Sequence, residues 1–177
     1  MESKEPKLPK LFPKANLKPR NGNRRRSLYT QEDSLMCFNT HYKTSICLDE
    51  QEIDLTNVQA GYYLARDVSR IKFTECKKLL LNIPLVQLKD LTPKMPNLTY
   101  LGLIGCGFGR FYLKYHFFKT LEELDLTGND FSKAESIIPA KNLPNLKKIH
   151  LTGNPICYDK TEQEKLNNLL NNIEVIY

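Results

Sequence analysis

Leu121-Glu-Glu-Leu-Asp-Leu-Thr-Gly-Asn129-Asp-Phe131 is the stretch on which the reading of this sequence turns. Leu124 and Leu126 alternate with acidic residues, as in a strand with one buried face, and Gly128-Asn129 follow as a turn signal. The five positions Leu121, Leu124, Leu126, Asn129 and Phe131 recur as Leu98, Leu101, Leu103, Cys106 and Phe108, and again as Leu146, Ile149, Leu151, Asn154 and Ile156. A looser copy precedes them at Val68, Ile71, Phe73 and Cys76, and the start-to-start spacings are 30, 23 and 25 residues. Self-similarity at such intervals points to stacked units, none of which buries its apolar face alone.

The pattern L-x-x-L-x-L-x-x-N/C-x-L predicts an α/β chain: a leucine-rich repeat solenoid with a parallel concave sheet, helical caps and a disordered basic N-terminal tail. The alternating leucines are expected to point into the core while the residues between them face outward. Asn129 and Asn154, and more weakly Cys76 and Cys106, are expected to turn inward and satisfy backbone groups where the chain bends. Gly105, Gly128 and Gly153 suit the sharp turn just before. Between the second and third copies, the run from Gly109 to Lys119 is crowded with aromatic residues, read mainly as core on the convex side, with a protruding patch as the lesser alternative.

Both ends of such an array need covers. The segment Thr56 to Arg66 is read as a short helix over the first strand. Thr161, with Glu164 three residues on, is read as the start of a closing helix carrying Leu166, Leu169 and Leu170, followed by a half-strand over Ile173–Tyr177. The abrupt end at Tyr177 is compatible with a piece or a short form of a longer array.

Charge is distributed unevenly over the 177 residues. The whole chain carries +6, yet residues 1–30 hold nine Lys and Arg against Glu2 and Glu5, a net of +7. Pro6, Pro9, Pro13 and Pro19 interrupt this stretch, and few bulky apolar residues offset the cost of ordering it. Residues 1–45 are therefore expected to be a disordered basic tail of polyproline-like character, and 46–177 a repeat domain with N- and C-terminal caps. Arg24-Arg25-Arg26 resembles a loose nuclear-localisation cluster and places Ser27 at the spacing basophilic kinases favour, making Ser27 a phosphorylation candidate. With 41% hydrophobic and 26% charged residues, the composition is that of a globular chain. The longest aliphatic run, Leu79-Leu80-Leu81, is too short to span a membrane, and no secretory signal opens the chain. The cytosol or nucleus is the expected location. The five cysteines are widely separated and form no C-x-x-C pair, so they are read as reduced thiols, with no metal and no cofactor expected.

The run from Tyr112 to Asn129, followed by Leu143-Pro-Asn-Leu-Lys-Lys-Ile-His-Leu-Thr-Gly-Asn154, resembles the X-ray radiation resistance-associated protein family, whose members are intracellular leucine-rich repeat proteins. The similarity covers residues 65 to 155, and this chain lacks later repeats. The resemblance implies a nuclear and cytoplasmic protein linked to the response to ionising radiation, with no established chemistry.

From the residues themselves, the expected function is non-enzymatic: a protein–protein interaction module binding an unidentified protein partner on the concave face. The side chains assigned to that face include Arg70, Lys72, Tyr100, Ile104, Glu123, Asp125, Lys148 and His150. Their mixed charges argue against a phosphate-tracking groove. The alternative is nucleic-acid or acidic-partner binding through the basic tail, with the repeats as scaffold. Asp125 beside His150 is half of a catalytic triad, but no Ser or Cys stands at the third place, so no catalytic residue is assigned.

Overall fold

The computed structural model describes residues 30–58, 63–84, 91–111, 113 and 115–177. The expected disorder of residues 1–29, with Ser27 among them, lies outside the described residues. Six strands form one sheet: β1 (Glu52–Leu55), β2 (Lys78–Leu81), β3 (Tyr100–Leu103), β4 (Glu123–Asp125), β5 (Lys148–His150) and β6 (Glu174–Ile176). They lie in chain order, and all five pairings are parallel. Along each strand the side chains alternate between two faces. Ile53, Leu55, Leu79, Leu81, Leu101, Leu103, Leu124 and Ile149 fill the buried face and are nearly inaccessible to solvent.

The leucine-rich repeat solenoid with a concave sheet is corrected by these observations. Among the described residues the structure is a single six-stranded parallel sheet packed with three short helices, α1 (Gln31–Tyr42), α2 (Leu64–Val68) and α3 (Lys160–Leu169), and no evident repeating solenoid or curved horseshoe emerges from it. The connections show why. β1 is followed by α2, β3 by a short 3-10 turn, β4 by two 3-10 segments, and β5 by a 3-10 turn and then α3. The strand positions recur in sequence, but the return segments differ in kind, and a solenoid requires both to repeat.

The looser copy is also misplaced. Val68 ends α2, and Lys72 makes only an isolated bridge to Lys94. The strand lies further on, with Leu79 level with Leu101, so that Cys76 occupies the place of Leu98. An unbroken Leu79-Leu80-Leu81 after two lysines hides the alternation that identifies the other strands.

Residues 31–42, assigned to the tail on composition, instead form α1. Thr30 and Asp33 make a reciprocal capping box, each side chain accepting from the other's backbone N–H at 3.0 Å, which satisfies two donors that the first helical turn leaves over. Leu35, Phe38 and Tyr42 line one face and join the core. The Tyr42 hydroxyl donates to the buried Asp67 carboxylate at 3.1 Å, tying α1 to α2. At the other end of the chain, α3 is capped by Asp159 rather than Thr161, the Asp159 carboxylate accepting from Glu162 N–H at 3.1 Å. Glu162 is itself buried, accepting from Ala134 N–H at 2.8 Å and from Lys133 at 3.3 Å. The helix is thereby fastened to the segment after β4. In the aromatic connection, Phe111, Leu113 and Phe118 are buried and Phe117 is exposed, while Tyr112 lies outside the described residues.

Asn129 holds successive chain turns together. Its carbonyl oxygen accepts from Cys106 N–H at 3.1 Å and Phe108 N–H at 3.0 Å, and its amide nitrogen donates to the carbonyls of Leu103 at 2.7 Å and Leu126 at 2.8 Å. Asn154 repeats the arrangement one turn later, donating to Leu126 and Leu151 and accepting from Phe131 N–H. At the preceding position Gly128 has φ +70°, and its N–H donates to Thr152 O at 2.9 Å. A side chain would be strained in that backbone conformation.

Asn129→Ala is expected to fold less stably by about 3 kcal/mol or more, because each buried backbone group left unpaired costs about 1–3 kcal/mol. Leu126→Ala is expected to cost roughly 2–5 kcal/mol, Leu126 being wholly buried. Urea denaturation with the slope held constant measures both, and a loss at Asn129 below half a kcal/mol would contradict this account of the turn.

The thiols provide a second check. Burial pushes Cys76 and Cys106 from the ordinary value near 9 up to about 11, whereas Cys47 is exposed. A group whose pKa is raised on folding contributes stability below its unfolded value and loses it as pH climbs through the folded one. Stability is therefore expected to decline as pH rises from about 9 towards 11. Iodoacetamide at pH 8, followed by mass spectrometry, should label Cys47 readily and reach Cys76 and Cys106 only after denaturation.

Candidate functional site

The strand register places two rows of side chains on the face opposite the core. One row runs Glu52, Lys78, Tyr100, Glu123, Lys148 and Glu174; the next runs Asp54, Leu80, Gly102, Asp125, His150 and Ile176. Parallel strands about 4.8 Å apart make each row a continuous ladder about 24 Å wide. Leu80 lies over Gly102, where a β-carbon would collide with its terminal methyl, so the middle of the second row is apolar and level.

Tyr100 is the centre of the polar contacts. Its hydroxyl donates to Asp125 Oδ2 at 2.7 Å, and the Lys78 ammonium sits 5.3 Å from its ring centroid. Burial, and then the Asp125 carboxylate, holds the phenol well above its usual range, so Tyr100 remains a donor throughout neutral pH. The other Asp125 oxygen accepts from Thr127 N–H at 2.9 Å. His150 Nε2 approaches Glu123 Oε2 at 3.4 Å, and the His150 and Tyr100 rings are 6.4 Å apart. At the two edges Lys78 pairs with Glu52 at 3.5 Å and Lys148 with Glu174 at 3.3 Å.

Of the residues assigned from sequence, Tyr100, Glu123, Asp125, Lys148 and His150 come together on this surface, and Ile104 lies one step beyond β3 beside Gly102. Arg70 and Lys72 do not join them. Arg70 pairs with Asp67 next to α2 at 3.2 Å, and Lys72 lies outside the six strands. The expected Asp125–His150 pair is also redistributed: the carboxylate facing His150 is that of Glu123, and Asp125 is engaged by Tyr100. Glu52, Asp54, Lys78 and Glu174 were not among the sequence candidates. The alternation in Glu52-Ile53-Asp54-Leu55 was the available signal for β1. Among the described residues no three His, Cys, Asp or Glu side chains gather as a metal site, and no helix is long and apolar enough to cross a membrane.

No protein-family model matches the sequence, and no curated protein matches it. A partner bound on the concave face of a leucine-rich repeat array, or a basic tail carried on such an array, loses its basis with the solenoid itself, as does the radiation-response function attached to that fold.

Tyr100→Phe removes the donor to Asp125 and is expected to lower stability by about 1 kcal/mol, since the bond is charge-assisted but only partly buried. Urea denaturation of Tyr100→Phe, Asp125→Asn and the double variant checks this. Fully additive losses would mean that the two side chains are not coupled.

Proposed function

We propose that the exposed face of the six-stranded sheet is a non-catalytic recognition surface for an extended cationic segment. The observation that carries this reading is the charge balance of the two rows: Glu52, Asp54, Glu123, Asp125 and Glu174 stand against only Lys78 and Lys148. Both lysines are spoken for, by Glu52 and Glu174, so among the described residues Asp54, Glu123 and Asp125 have no lysine or arginine partner across the ladder. Glu123 and Asp125 share β4, with Asp54 three strands away on the same sheet, and a stiff sheet lowers the entropy lost when a ligand is aligned on them. Tyr100 adds an aromatic surface with which a lysine already associates, and Leu80 adds an apolar strip beside it.

A non-catalytic role is supported by the engagement of the polar groups with one another: Tyr100 with Asp125, and His150 with Glu123. Location in the cytosol or nucleus belongs to the same proposal, supported by five cysteines that are all unpaired. Kinship with the X-ray radiation resistance-associated family is proposed from the sequence similarity alone, which covers residues 65 to 155 and is carried by the runs Tyr112 to Asn129 and Leu143 to Asn154.

Titration with a fluorescent decalysine peptide at about 50 mM salt tests the proposal. Glu123→Gln combined with Asp125→Asn is expected to weaken binding about tenfold, and Lys148→Gln to strengthen it. All of these differences should shrink as salt is raised and surface charges are screened. Unchanged affinity in the Glu123/Asp125 double variant, with its fold intact by circular dichroism, would refute the assignment.

A further inference from the structure

We propose that the cationic partner of this face is an extended peptide segment with an aliphatic residue midway between two basic ones, in the pattern basic-x-aliphatic-x-basic, and that Asp54, the Leu80–Ile104 pair and Asp125 receive those three side chains. The inference rests on the reading of the face given above and adds which side chains the partner presents, and at what spacing.

The two rows of the face differ in how their charges are met. In the first, Lys78 pairs with Glu52 and Lys148 with Glu174, and Glu123 faces His150, so its groups largely satisfy one another. The second row, Asp54, Leu80, Gly102, Asp125, His150 and Ile176, contains no lysine or arginine. Among the described residues neither aspartate has an ion-pair partner. The unmet negative charge of this row therefore sits at two points, on β1 and on β4.

Both carboxylates are fixed by the same local device. Asp54 Oδ1 accepts from the Thr56 N–H at 2.9 Å and from the Thr56 hydroxyl at 2.7 Å, and Asp125 Oδ1 accepts from the Thr127 N–H at 2.9 Å. An aspartate that bonds the backbone two residues on is held in one orientation. The Tyr100 hydroxyl adds a second restraint on Asp125. All of these donors are uncharged, so they orient the carboxylates and leave their charge for a ligand.

Between the two aspartates lies an apolar shelf. Leu80 on β2 and Ile104 just past β3 converge over Gly102, where a β-carbon would collide with the Leu80 methyl and lie 3.5 Å from that of Ile104. Both aliphatic side chains are only partly buried, so the shelf is open to a ligand. Three strand intervals, about 14 Å, separate Asp54 from Asp125, and the shelf lies about 7 Å along, between β2 and β3. An extended chain rises about 3.3 Å per residue and turns alternate side chains to one side, which sets residues i+2 and i+4 about 7 Å and about 13 Å from residue i. A segment laid across the strands thus brings its third residue over the shelf when its first and fifth reach the aspartates. The pattern is the same from either end, so it is met by either chain direction.

Three blocked synthetic peptides of equal charge are titrated into the protein at about 50 mM salt: Lys-Ser-Leu-Ser-Lys, its isomer Lys-Leu-Ser-Ser-Lys, and Lys-Ser-Ser-Ser-Lys. Binding is followed by NMR on the Leu80 and Ile104 methyl groups. The first peptide is expected to bind about tenfold more tightly than either of the others and to shift both methyl signals. Leu80→Ser combined with Ile104→Ser is expected to abolish that preference while leaving Lys-Ser-Ser-Ser-Lys unaffected, and Asp54→Asn to weaken the first peptide. The comparison of the two isomers on the native chain needs no variant to fold. Equal affinity of the isomers, or failure of all three on a protein that still binds decalysine, would overturn the aliphatic position and leave the cationic reading standing. A preference for the first peptide with the Leu80 and Ile104 signals unmoved would place its leucine elsewhere and refute the inference. Failure of decalysine together with the three peptides would overturn both readings.

Discussion

The hydrogen bonds of Asn129 bind the turn after β4 to the turn after β3, and the surface beside those strands depends on that tie. One buried amide collects two N–H donors from the turn after β3 and donates to carbonyls of both its own turn and the previous one. A parallel sheet has no hairpins to set its register, so ties between connections such as this one add to core packing in holding β3 in line with β4. Slippage by one residue would turn Leu124 to solvent and Glu123 to the core. The amide thus helps to hold Tyr100 and Glu123 side by side in one row. Asn154 extends the tie by one more turn.

The surface that results is fixed in geometry and uneven in charge. Core packing requires only the buried face, where leucine and isoleucine are interchangeable with modest loss. Nothing in that packing calls for five carboxylates on the other side, and like charges as close as Glu123 and Asp125 on β4 cost stability unless something offsets them. Lys78 and Lys148 offset part of it at the edges. On the proposed reading of the face, a cationic ligand offsets the rest.

The legible parts of the fold were those with a local signature. Strands β3, β4 and β5 each have alternating apolar residues followed by a glycine-marked turn, and Asn129 and Asn154 took the inward role their positions implied. Strand β2 was read eight residues too early, because its three consecutive leucines carry no alternation and the apolar residues Ile71 and Phe73 offered a false copy. Helix α1 was missed because the proline- and lysine-rich stretch before it coloured the composition of the whole N-terminal third. Its local signals, the Thr30–Asp33 box and the 35, 38, 42 spacing, were nonetheless present in the residues.

The sequence by itself determined the buried alternation of the three central strands, the turn chemistry after them and the separation of a basic segment from a nearly neutral remainder, because each depends on neighbours a few residues apart. Only the tertiary structure decided that six strands pair in one sheet, that their connections differ too much to form a repeating solenoid, and that Glu52 and Glu174 share a row with Glu123. It alone also paired His150 with Glu123 and Tyr100 with Asp125, and withdrew Arg70 and Lys72 from the face. Those outcomes depend on which distant strands lie side by side and in what register. Register is set by the packing of the whole sheet, a property that no stretch of twenty residues contains.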